Sequence, residues 1–243
     1  MNLSGRAEFQ ISTSDVGRSI SFYKLMGFKE LAYAKKPFKW VALSDGSLNI
    51  LLAENEFYGL CYYSAEMEGK AAEIEGQGIE YVNRDLQQGD TWYRVVKDPN
   101  DFLISLVAEL PKYFNEINKN EFEPRGKFYE IAIRSDKIKE SVKFWEKLGF
   151  QKSDNQKNQK KQGVSLKDGT TRIGLYSPEG RSHYFEGPAL TFYDKKMHSI
   201  IQDLKDAGLE FQEEITDDNG KIINAVALSP EGQTFFLFTD ESL

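Results

Sequence analysis

From Glu8 to Ser12 the chain alternates polar and apolar side chains, which puts Phe9 and Ile11 on one face of a strand and Glu8, Gln10 and Ser12 on the other. The period then lengthens to that of a helix. In a related stretch further on, Ile138, Val142, Trp145 and Leu148 recur at spacings of 4, 3 and 3 and draw one apolar stripe. Gly27 and Gly149 fall where a left-handed helix C-cap belongs, each directly before a phenylalanine. Strand-like runs follow over residues 28–34, 39–43 and 48–53, with an Asp45-Gly46 turn between the last two. The order restarts with a strand over 60–63, a helix over about 67–77, and strands near 80–83, 91–96 and 102–107. This alternation of periods predicts a β-α-β-β-β module, used twice in succession.

The first half is then written again. Residues 8–28, EFQISTSDVGRSISFYKLMGF, align without a gap to residues 130–150, EIAIRSDKIKESVKFWEKLGF, at an offset of 122. Glu8 meets Glu130, Ser19 meets Ser141, and Tyr23 meets Trp145. Downstream, Leu43-Ser44-Asp45-Gly46 answers Leu166-Lys167-Asp168-Gly169. Tyr58-Gly59-Leu60-Cys61-Tyr62-Tyr63 answers Pro188-Ala189-Leu190-Thr191-Phe192-Tyr193. Asp98-Pro99-Asn100-Asp101 answers Ser229-Pro230-Glu231-Gly232. A repeat this long is two copies of a folding unit, not a short-period solenoid. It divides the chain into a domain over 1–110, a linker over 111–127 that holds Pro111, Pro124 and many charges, and a domain over 128–243.

Composition narrows the partners. The net charge of −7, with acidic residues scattered along the chain, argues against binding a phosphate backbone, which needs a basic face. A Lys/Gln/Asn run over 156–162 is a local exception without interleaved aromatics, and it reads as a solvated hairpin tip. No apolar run approaches the roughly 20 residues that span a bilayer. The first six residues lack the apolar stretch of a secretory signal. Cys61 is the single cysteine, so no internal disulfide forms, as suits the cytoplasm.

The module pair resembles the glyoxalase / bleomycin-resistance / extradiol-dioxygenase group, the vicinal oxygen chelate superfamily. The resembling residues are Asp15-x3-Ser19-x2-Phe22-Tyr23-x3-Gly27-Phe28 and its copy Ser141-x2-Phe144-Trp145-x3-Gly149-Phe150, with the late Asp98-Pro99 and Ser229-Pro230-Glu231-Gly232 turns. The resemblance implies an α+β fold of four βαβββ modules, forming two tandem glyoxalase-like domains with curved mixed sheets around central cups. It implies helices on the outer faces and, because the chain already holds two module pairs, a monomer or weak homodimer. In that superfamily four strand positions facing each cup carry metal ligands, usually His, Gln or Glu. Carried onto this chain they are Glu8, Leu51, Gly59 and Ser105, then Glu130, Gly174, Ala189 and Phe236. Glu8 and Glu130 alone among these could ligate. A catalytic zinc needs about three protein ligands and the non-haem iron triad two histidines and a carboxylate, so no metal and no cofactor is expected. The two histidines, His183 in a loop and His198 at a helix start, match no ligand position.

Strand alternation adds the remaining cup residues. With Glu8 go Gln10, Cys61, Tyr63 and Ser105, joined by Asn49; with Glu130 go Arg134, Thr191, Tyr193, Phe236 and Phe238. The candidate ligand-binding set is therefore Glu8, Gln10, Asn49, Cys61, Tyr63, Ser105, Glu130 and Arg134. Gly59 and Ser105 are expected to leave room in the first cup, and Phe236 to take it up in the second. No base stands at a recognisable spacing from Cys61, which reads as an inert thiol, and no catalytic residue is assigned. Tyr23 and Trp145 read as helix-to-sheet packing. A cavity with aromatic walls and a few polar groups suits a small, partly apolar molecule bound without a metal. Two other classes stay open: a lyase or oxygenase of the same superfamily, and a degenerate scaffold that acts through partner contacts.

Overall fold

A computed structural model describes residue 3 and residues 5–88, 91–117, 121–153, 163–178 and 185–239. The run over 156–162 and His183 lie outside the described residues. The first repeat forms β1 (Arg6–Ser12), α1 (Val16–Leu25), β2 (Lys29–Ala34), β3 (Trp40–Ser44), β4 (Asn49–Ala53), β5 (Gly59–Tyr63), α2 (Met67–Gly76), β6 (Tyr81–Gln88), β7 (Thr91–Lys97) and β8 (Leu103–Val107). The second forms β9 (Lys127–Arg134), α3 (Ile138–Lys147), β10 (Gln151–Lys152), β11 (Gly163–Lys167), β12 (Arg172–Tyr176), β13 (Ala189–Tyr193), α4 (Met197–Asp206), β14 (Glu213–Thr216), β15 (Ile222–Leu228) and β16 (Thr234–Phe238). Most first-repeat boundaries fall within one or two residues of those the periodicity predicts. β6 instead continues to Gln88, as a long hairpin partner of β7.

Each repeat builds one eight-stranded sheet, in the order β2-β3-β4-β1-β5-β8-β7-β6 and β10-β11-β12-β9-β13-β16-β15-β14. β5 with β8, and β13 with β16, pair in parallel, while β1 with β5 and β9 with β13 pair antiparallel, so both sheets are mixed. The α+β expectation of two tandem glyoxalase-like sheets therefore holds. The local reasons are visible in the helices. Asp15 caps α1, accepting from the Gly17 and Arg18 amides at 2.9 and 3.2 Å. Gly27 and Gly149 take φ of +87° and +96°, the left-handed turn that releases the chain from α1 and α3 into the next strand. Among the described residues no helix is long and apolar enough to cross a membrane.

The compact units do not follow the repeats. One gathers residues 1–10, 57–116 and 133–184, the other residues 11–56, 117–132 and 185–243. Apart from most of β1 and most of β9, which stay with the second module of their own repeat, each thus combines the first module of one repeat with the second module of the other. In the first unit Trp145 of α3 packs on Phe102 and Phe150, with centroids 6.3 and 4.8 Å away, and Phe9 stacks on Phe102. In the second, Phe22 and Tyr23 of α1 pack edge-on against Phe235 of β16, at 5.3 and 5.8 Å. A helix stripe must be buried somewhere, and here part of its cover comes from rings of the other copy of the repeat.

Polar handles finish these joints. Trp145 donates from Nε1 to Asp98 at 3.4 Å, and Asn100 donates to Ser141 at 3.0 Å. In the second unit Tyr23 and Ser19 both donate to Glu231, Ser19 at 2.9 Å. Tyr23 and Trp145 pack a helix as expected, and their polar atoms also lock it to the late turn of the opposite repeat. A buried Tyr or Trp that left its O–H or N–H unpaired would cost about 1–3 kcal/mol, so the partner at the turn matters.

Candidate functional site

The first cup is organised around a buried carboxylate. Alternation along β1 sends Phe9 and Ile11 into the helix-side core and turns Glu8 and Gln10 to the opposite face. Strand register then sets their neighbours. Glu8 lies beside Cys61 of β5, and Cys61 lies beside Ser105 of β8. Glu8 is 1% exposed. The Tyr63 hydroxyl donates to its Oε1 at 2.6 Å, and the Tyr113 hydroxyl sits 3.0 Å from each carboxylate oxygen. Cys61 donates through Sγ to Gln10 Oε1 at 3.7 Å. Burial outweighs both tyrosine hydrogen bonds and lifts the Glu8 pKa to about 7. The same burial, reinforced by the Glu8 charge, pushes the Cys61 thiol and the Tyr63 phenol well up. Cys61 is therefore held as a thiol, consistent with its reading as an inert group.

Tyr113 comes from the segment expected to be a plain linker. Residues Lys112–Glu116 form a short 3-10 helix, with Phe114 1% exposed and Tyr113 9%. Phe114 packs on Tyr63 at 5.6 Å and on Tyr113 at 4.8 Å. Two connector rings thus cover the Glu8 carboxylate and the Tyr63 ring. Gly59 plays a different part from the one expected. A Cβ there would collide with the Leu103 carbonyl, so Gly59 lets β5 and β8 approach and does not hold cup volume open. Asn49 stands half-buried at the start of β4, in the other compact unit from Glu8.

The second cup repeats the row with other side chains. Glu130, also 1% exposed, lies beside Thr191, which lies beside Phe236. Phe236 is fully buried, stacked on Phe238 at 5.3 Å and edge-on to Phe185 at 5.5 Å. It fills space as expected. The Thr191 hydroxyl is buried and has no hydrogen-bond partner among the described residues. Its counterpart Cys61 meets Gln10, whose position is taken by Ala132 in the second repeat. Arg134 is half-buried at the end of β9, in the compact unit that does not contain Glu130.

Comparison with known proteins fits this geometry. Residues 127–241 match the sequence model of the Glyoxalase/Bleomycin resistance protein/Dioxygenase superfamily. The second repeat belongs to that superfamily, and the whole chain has its fold. A catechol 2,3-dioxygenase superposes with a TM-score of 0.63 at 13% identity, covering 99% of this chain and 94% of that one. The 2,3-dioxygenase LapB from Pseudomonas sp. KL28 gives 0.61 at 17% identity, over 97% and 91%. A 4-hydroxymandelate synthase variant from Streptomyces coelicolor gives 0.62 at 13% identity, over 96% and 91%. No curated protein sequence matches the chain significantly.

The donor set of these two rows does not fit a catalytic metal ion. Glu8 is surrounded by phenols, an amide and a thiol, and the row containing Glu130 supplies a threonine and a phenylalanine. No three His, Cys, Asp or Glu side chains converge among the described residues. His198 lies on α4, half-buried. Sequence reasoning missed Tyr113 and Phe114. The signal was there: an adjacent aromatic pair inside a charged connector is apolar surface that must find cover.

Proposed function

We propose that this vicinal oxygen chelate protein binds a small, partly apolar molecule in its first cup, without a metal ion. The observation that carries the reading is Glu8. A fully buried carboxylate, stabilised by tyrosine hydroxyls and lifted to a pKa of about 7, is costly to a mere scaffold and useful to a binding site. It would orient a cationic or hydrogen-bond-donating group of the ligand, a charge-assisted bond worth roughly 1.5–3 kcal/mol. Gln10, Cys61, Tyr63 and Ser105 supply further polar contacts on the same face, and Glu130 with Thr191 forms the corresponding row of the second cup. The catechol in one structural neighbour's name is itself a molecule of this kind, small, aromatic and polar at one edge. Two repeats already provide the paired modules, so a cytoplasmic monomer or weak homodimer suffices.

The test combines elemental analysis of dialysed protein with a thermal-shift screen of small aromatic and heteroaromatic compounds. The expected result is no stoichiometric divalent metal, together with compounds that bind wild type and bind Glu8→Gln at least about tenfold more weakly, or about 1.4 kcal/mol. A stoichiometric metal, or hits that ignore Glu8→Gln, would overturn the proposal. One feature supports an enzyme of the same superfamily as a second reading: a carboxylate with a pKa near 7 is tuned for general acid–base work. Turnover of a bound hit that vanished in Glu8→Gln would establish it.

A further inference from the structure

We propose that Lys112–Glu116 is an internal plug of the first cup, which opens locally, with the sheet intact, before a ligand reaches Glu8. The inference extends the reading of that cup as a binding site. It rests on how the two cups are filled. In the second, the filler Phe236 belongs to β16 and cannot leave without breaking the sheet. In the first, the filling rings Tyr113 and Phe114 ride on the connector. Lys112–Glu116 is a short 3-10 helix, a form with poorer hydrogen-bond geometry, and its Phe114 amide bonds locally, to the Pro111 carbonyl just ahead of it at 3.2 Å. Its contacts with the cup include the Tyr113 hydroxyl on Glu8 and the Phe114 ring on Tyr63. Lys112 and Asn115, on either side, are exposed. The row beside Glu8 holds polar and small side chains, Gln10, Cys61 and Ser105, in place of the close-packed rings of the second cup.

Opening is coupled to Glu8. The titratable groups facing it are Cys61 and Tyr63 from β5 and Tyr113 from the connector, all pushed upward by burial and so neutral at pH 7. Closed, Glu8 titrates near pH 7; opened to water, it returns toward the ordinary 4.5. The closed state therefore binds the extra proton between these values, and opening becomes easier as pH rises through that window.

Cys61 reports the event, being the chain's single cysteine, 3% exposed and seated in this cluster. The experiment follows its modification in the native protein by an aromatic disulfide reagent, each rate divided by that of the denatured chain at the same pH. Three results are expected. The wild-type rate is insensitive to low denaturant. Tyr113→Ala and Phe114→Ala raise it at least about tenfold with the far-ultraviolet circular dichroism unchanged, and Tyr113→Phe raises it less. The normalised rate climbs by up to about 100-fold from pH 4.5 to 7.5 in wild type, following the displacement of the Glu8 pKa, and stays level in Glu8→Gln. Labelling that follows global unfolding with its full denaturant dependence would overturn the plug, as would alanine variants that label at the wild-type rate. A flat pH profile would overturn its coupling to Glu8. If an alanine variant fails to fold, the denaturant dependence of wild type decides. No ligand is used, so failure here leaves the binding result standing, and the reverse holds as well.

Discussion

The two compact units solve the same problems with different chemistry. In the first, interior positions are polar and paired: Tyr62 donates to Asp168 at 2.7 Å, Trp145 to Asp98, and Tyr63 and Tyr113 to Glu8. In the second, matching positions are more often apolar. Phe192 replaces Tyr62, Phe236 replaces Ser105, and Ala132 replaces Gln10. The substitutions leave residues of the polar design behind. Asp45, the counterpart of Asp168, is 2% exposed, and its Oδ2 has no hydrogen-bond partner among the described residues. Thr191 is left in the same way. The comparison teaches that the fold tolerates either filling, provided that volume is occupied. Where the strand supplies no ring, the connector does.

The largest expected effect separates the two fillers. Phe236→Ala removes a fully buried ring from a strand and should cost about 3–5 kcal/mol in urea unfolding. Phe114→Ala should cost clearly less, because its loss is capped by the free energy of docking the connector. Equal costs would mean that both rings belong to one inseparable core and would break the contrast.

Next is the buried charge. A carboxyl whose pKa rises from 4.5 to about 7 on folding contributes stability that is full below pH 4.5 and lost as pH rises through 7. Over that interval the stability of wild type relative to Glu8→Gln should fall by about 3 kcal/mol. The measurement is chemical denaturation of both proteins at pH 4.5 and 8. A difference independent of pH would show that Glu8 is hydrated in the folded state.

The smallest effect sharpens the comparison at one atom. Phe192→Tyr restores to the second unit the hydroxyl that Tyr62 provides in the first, and should gain about 1 kcal/mol by reaching Asp45. Tyr62→Phe should lose about 1–3 kcal/mol by stranding Asp168. Destabilisation by Phe192→Tyr would show that the two joints are not equivalent in shape.

Much of this architecture is legible in local pattern. The alternation at Glu8–Ser12 gives β1, the stripe through Val142 and Trp145 gives α3, and the glycines at 27 and 149 turn each helix into its strand. The cup-facing row of Glu8, Cys61 and Ser105 follows from period two together with the repeat, because side-chain direction in a strand depends on parity alone. Tyr113 was not legible as a partner of Glu8, because a contact across 105 residues has no local period to announce it. Gly59 was misleading for a related reason: smallness looks the same in sequence whether it makes room for a ligand or for a neighbouring backbone.

The sequence by itself determined the repeat, the module order, the two sheets and the carboxylate that each cup contains. These depend on short-range periodicity and on a gapless offset. Tertiary structure alone decided which modules share a core, that Tyr23 and Trp145 lock to turns of the opposite repeat, and that the connector enters the first cup. Helix stripes and strand faces specify that apolar surface must be buried, and with two copies of one pattern in the chain either copy could supply the partner. The choice falls to the fit of particular rings: Phe235 against Phe22 and Tyr23, Phe102 against Trp145, and Phe114 against Tyr63.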